Sequence, residues 1–166
     1  MDPYHESYQE ATGEIPQQPQ EANEISIAQL MQLEKQHRNG ANWFYWIAGL
    51  SALSSILILI GSSFISAITL GSTEFLVFIG QEIPEMAIAA AVASVLIVGV
   101  FVLLGYLSNK GYRGAFIVGI VLFLLDTLFL LWVQDFFGLA FHALALYYMI
   151  VGAIALFKLK KLVPQN

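Results

Sequence analysis

The chain has 166 residues, 58% of them apolar and only 11% charged, and it contains no cysteine. A soluble domain carries about 25% charged residues, so the composition excludes an ordinary water-soluble fold, and the missing cysteine excludes disulfide scaffolds, thiolate metal sites and palmitoylation. The net charge of −5 comes mostly from the first 34 residues, and seven scattered Lys and Arg form no basic stripe, which excludes nucleic acid as a partner.

Residues 1–24 (MDPYHESYQEATGEIPQQPQEANE) combine acid, Gln and Pro with little apolar surface. Such a segment cannot offset its ordering entropy by burial, so it reads as a disordered acidic tail. It lacks the basic start and apolar run of a secretory signal. Residues 25–40 place Ile27, Leu30, Met31 and Leu33 broadly on one side, with Glu34, Lys35 and Arg38 elsewhere. This pattern fits an amphipathic juxtamembrane helix lying on the membrane surface. A helical extension of the following span fits equally well.

From residue 41 to 160 the apolar residues fall in runs of about twenty, the length that crosses a hydrocarbon core of roughly 30 Å as a helix. The first run, 43–62, opens on Trp43, Tyr45 and Trp46, an aromatic belt at headgroup level. Its apolar character continues to Ile79, too long for one straight crossing and too short for two. Either the helix is long and tilted to about Leu70, or 63–84 is an outer loop that returns to the membrane surface around Phe75–Ile79. Pro84 suits the first turn of a second span over 85–108. The turn NKGYR leads to a third span over 114–133, and Gln134 and Asp135 separate it from a fourth over 137–157.

Under four spans, all seven cations fall in the amino tail, the second loop or the carboxyl tail, whereas Glu74, Glu82, Glu85 and Asp135 occupy the first and third loops. The positive-inside rule then places both termini in the cytoplasm. The fold expected is an all-α membrane protein, an antiparallel four-helix transmembrane bundle. Lys158, Lys160 and Lys161 would anchor its last helix and meet anionic lipid headgroups.

Small residues mark the packing faces. Ala87 with Ala91 and Ala90 with Ser94 are small-xxx-small pairs, and Gly138, Ala145 and Gly152 recur at intervals of seven. In lipid such residues let helix backbones approach closely. They serve contacts within one bundle or the seam of a homodimer.

Asp126 stands out within VLFLLDTLFLL, where a carboxylate costs at least about 2.5 kcal/mol on insertion scales and must find a partner. His142 is the only histidine in the spans, and counting outward from residue 134 sets it opposite Asp126 on the antiparallel neighbour. The two form a candidate intramembrane polar site, with Thr127, Tyr147 or Tyr148 completing it. Read functionally it is a proton-responsive or ligand-binding site; read structurally it fixes the register of the hairpin. The ligand sets for haem or zinc are incomplete and no phosphate loop, nucleophile elbow or HExxH occurs, so no cofactor or metal is expected.

The runs FYWIAGLSALSS, GYRGAFIVGIVLFLLDTLFLL and FHALALYYMIVGAIAL resemble a loose group of small bacterial four-span membrane proteins of unknown function. The resemblance covers residues 41–160 and implies a bacterial inner membrane. Together these readings favour a non-enzymatic scaffold or accessory subunit of a membrane complex, with the bilayer and a membrane protein as partners. A small transporter or proton-coupled carrier using Asp126 and His142 is the alternative. A membrane enzyme acting on lipid or quinone near Tyr147 comes third.

Overall fold

The computed structural model describes residues 27–59 and 70–162. Residues 1–26, which hold the acidic tail and the start of the juxtamembrane segment, residues 60–69, which hold the end of the first apolar run, and residues 163–166 lie outside them. The described residues are helical: α1 (Ile27–Leu59), α2 (Gly71–Glu82), α3 (Ala87–Asn109), α4 (Arg113–Trp132) and α5 (Phe136–Leu162), with a single 3-10 turn at Pro84–Met86. Helices satisfy their backbone groups internally, which an apolar surrounding demands.

Three helical stretches are long and apolar enough to cross a membrane: Pro84–Asn109, Arg113–Trp132 and Phe136–Leu162, with mean hydropathies of 2.9, 2.5 and 2.0. They mark the chain as an integral membrane protein. A fourth long helix, α1, runs 33 residues without a break at position 40. The segment ahead of Trp43 is therefore the first half of this helix, continuing the apolar half instead of forming a separate element. Its Glu34 and Arg38 pair at 2.9 Å on the exposed side.

The tight turns have clear local causes. Gly111, at φ 83°, follows the cap of α3, and the Gly111 and Tyr112 amides return to the carbonyls of Ser108 and Leu107. This is the Schellman arrangement, which needs a left-handed residue at that position. Gln134 fills the same role after α4 at φ 62°, with amides 134 and 135 bonded to the carbonyls of Leu131 and Leu130. Asp135 then caps α5, its Oδ1 accepting the Gly138 amide at 3.0 Å.

α1 packs mainly against α3 and α5, and runs antiparallel to both. His37 meets the Ser108 carbonyl, Phe44 meets Gly105, and Gly40 meets Gly152. A Cβ on Gly152 would lie 2.6 Å from the Gly40 Cα, so at this crossing the two backbones touch. Gly119 leaves the space that the Phe44 ring fills, and Gly105 faces the Phe44 Cβ and the Tyr45 ring. The core is a line of rings from His37 through Phe116, Phe44, Phe101 and Phe123 to His142, with successive centroids 4.5–6.4 Å apart.

Of the two paths expected after the first run, a helix to about Leu70 lies partly outside the described residues, and the segment Phe75–Ile79 belongs to α2, which folds back along α3: Gly80 sits where a Cβ would be 3.2 Å from both the Ala87 Cα and the Ala90 Cβ. Gly71, Thr73 and Val77 are buried on its inner side. The start of α2 lies in the protein interior, level with Ser51 of α1 and Asp126 of α4.

Candidate functional site: a buried carboxylate at the start of α2

Asp126 is six residues, about 9 Å of helix, from the end of α4. It is 7% exposed, and its carboxylate gathers three donors from two other helices. The Gly71 amide reaches Oδ2 at 3.0 Å, the Ser72 amide reaches Oδ1 at 2.9 Å, and His142 Nε2 lies 3.1 Å from Oδ2.

The amides explain the site from the backbone upward. The first turn of a helix leaves N–H groups with no partner inside the helix. Leu70 precedes α2 in an extended conformation and has no polar side chain to cap it. The duty passes to neighbouring helices. Ser51 Oγ accepts the Leu70 amide at 2.9 Å, Asp126 accepts Gly71 and Ser72, and the Thr73 amide turns back to the Leu70 carbonyl at 3.1 Å. The positive end of the α2 dipole thus faces the buried carboxylate. Gly71 allows the approach, since a Cβ there would stand 2.6 Å from Leu130 Cδ2.

The hydrogen bonds of His142 fix its protons. It is fully buried and stacked on Phe123 at 4.5 Å, with Nδ1 2.9 Å from the Gly138 carbonyl. A carbonyl only accepts, so Nδ1 carries hydrogen. Nε2 faces a carboxylate oxygen, so one proton must lie between the two groups. Oδ2 also accepts the Gly71 amide, and Oδ1 accepts the Ser72 amide. As a pair the two are neutral, which limits the cost of burying them.

Among the other sequence-singled residues, Thr127 is buried but donates to the Phe123 carbonyl of its own helix at 2.8 Å. Tyr147 is 62% exposed, and Tyr148 stacks on Trp43 at 5.2 Å, on the outer side of α5. None of the three joins the carboxylate; the α2 amides and Ser51 stand where side chains were sought. Trp43 packs on α5, while Trp46 is exposed and Tyr45 lies over Gly105. Gly138, Ala145 and Gly152 are buried along α5, and Lys158 and Lys161 are exposed at its end. On α3, Ala90 and Ser94 are buried, Ala87 is half-buried and Ala91 is exposed.

Two apolar grooves run between the helices, and one of them reaches this centre. One, of about 370 Å³, lies between α1, α2 and α3 and is lined by Ser55, Gly80, Ala87, Ala90, Ala91 and Ser94 among others. The second, of about 510 Å³, lies between α3 and α4 and reaches Ser72 and Asp126. Among the described residues no cluster of three His, Asp or Glu side chains could hold a metal ion. No protein-family model, curated protein or solved structure matches the chain.

Proposed function

We propose that this chain is a non-enzymatic membrane scaffold or accessory subunit that receives a transmembrane helix of a partner protein in the groove between α1, α2 and α3. The groove carries the proposal. Its wall on α3 is the small-residue stripe Ala87, Ala90, Ala91 and Ser94, which lets a partner backbone come close. Only 22% of the apolar stretch of α3 is buried, against 33% for α4 and 39% for α5. Beside the groove Ile88 and Val95 are 81% and 71% exposed. The buried Ser51 and Asp126, by contrast, are engaged in holding α2.

In this reading the apolar half of α1 is the fourth span, and the long helices form an antiparallel bundle with both ends in the cytoplasm. The support is charge: Lys110, Arg113, Lys158, Lys160 and Lys161 lie at one end and Glu82, Glu85 and Asp135 at the other. Placement in a bacterial inner membrane rests on the resemblance of residues 41–160 alone.

The test is extraction of the protein from its own membrane into lipid nanodiscs, followed by mass spectrometry of what accompanies it. A stoichiometric membrane-protein partner, lost when Ala91→Trp fills the groove, is the expected result. A protein-free monomer contradicts the proposal, and a second copy in the groove replaces the partner by a homodimer. One observation favours a carrier as the second reading: the α3–α4 groove reaches Asp126. A carrier would lose pH-dependent flux on Asp126→Asn.

A further inference from the structure

The end of the protein opposite Asp135 holds a separate cavity of about 220 Å³, formed where the α3–α4 turn meets the last turns of α5. Lys110 and Lys160 line it together with His37, Asn109 and the apolar side chains Leu156 and Leu159. Gly111 brings the two basic residues together. Its left-handed conformation makes the turn, and Lys160 Cε lies at ordinary contact distance, 3.7 Å, from where a Cβ on it would stand.

No carboxylate lines this cavity among the described residues. Glu34, the acid of the same end, is paired with Arg38. The Lys110 ammonium sits over the Tyr106 ring at 4.5 Å, and a hydrogen bond to the Tyr106 side chain raises its pKa, so it stays cationic. Two lysines and the apolar side chains Leu156 and Leu159 lining one cavity, at the boundary of a membrane-spanning segment, match a phosphate group carried on an acyl-bearing molecule. Basic pockets between spans at the cytoplasmic side hold anionic headgroups in this way.

We infer that the cavity between Lys110 and Lys160 is a binding site for a singly phosphorylated anion, supplied as the headgroup of an anionic phospholipid. The inference depends on the chain spanning a membrane but not on any partner helix, so it can fail or hold independently of the scaffold reading.

The test uses the full chain in nanodiscs of phosphatidylcholine doped with phosphatidylglycerol, read by native mass spectrometry of retained lipid. One phosphatidylglycerol per chain is expected, and Lys110→Gln with Lys160→Gln should lower its retention by roughly an order of magnitude. Lys158→Gln with Lys161→Gln removes the same charge from exposed positions on the same helix end, where headgroups are met only as bulk lipid, and should lower retention of the single bound lipid far less. Displacement by millimolar inorganic phosphate would keep the anion site and change its source from lipid to solute. Equal retention of phosphatidylcholine, or equal loss in the two double variants, would overturn the site.

Discussion

His142 Nε2 lies 3.1 Å from Asp126 Oδ2 across the hairpin of α4 and α5, and the same carboxylate accepts the first two amides of α2. One side chain thus joins three helices. Replacing Asp126 by Ala would strand two amides and the His142 Nε2 inside the membrane-spanning region. Losing one partner of a buried pair costs about 3–5 kcal/mol. Chemical unfolding in mixed micelles, followed by circular dichroism, should show a loss of that order. Asp126→Asn should cost less, because its amide oxygen still accepts one α2 amide.

Coupling between the pair is separable from the cap. In a double-mutant cycle, His142→Gln and Asp126→Asn should show an interaction of about 1.5–3 kcal/mol, the range of charge-assisted hydrogen bonds. Ser51→Ala removes only the acceptor of the Leu70 amide and should cost about 1 kcal/mol. Hydrogen exchange should then rise at the start of α2 and not in α5.

Two glycines should respond in opposite ways. Gly152→Ala forces the backbones of α1 and α5 apart, because the added Cβ meets the Gly40 backbone, which has no flexible end to move. Overpacking of this kind costs about 1–3 kcal/mol. Gly49→Ala on α1 meets nothing within 4 Å and should gain about 0.5–1 kcal/mol from helix propensity. Unfolding midpoints of the two variants in one detergent mixture make the comparison.

The turn between α4 and α5 offers a gain and a loss at adjacent residues. Gln134 holds a left-handed conformation that suits Gly, so Gln134→Gly should raise stability by up to about 1 kcal/mol. Asp135→Ala removes the cap on the Gly138 amide and should lower it by about 1 kcal/mol. Thermal denaturation of both variants checks the signs.

The opposition of Asp126 and His142 is legible because a tight turn at residue 134 fixes the count along both helices, and each residue is conspicuous in its apolar run. The other half of the site is not legible. Its donors at Gly71 and Ser72 are backbone amides, which leave no mark in side-chain chemistry, and α2 follows a stretch whose apolar content sets no period. Thr127, Tyr147 and Tyr148 were attractive as polar groups nearby in sequence, but Thr127 has a carbonyl in its own helix and the tyrosines face outward. His37 precedes the first apolar run, yet it is buried and bonded to the Ser108 carbonyl at 2.8 Å. Because α1 continues unbroken through residue 40, that histidine enters the interior. A Gly40 facing Gly152 was the available signal for that continuation.

The central claim is that Asp126 and His142 hold one proton between them and, as a neutral pair, fix the start of α2. Nitrogen-15 NMR of the His142 ring, in protein reconstituted into bilayers near neutral pH, tests it most directly. The Nε2 signal should be that of a hydrogen-bonded nitrogen and should move on Asp126→Asn. A bare Nε2 with no hydrogen bond to Asp126 would contradict it.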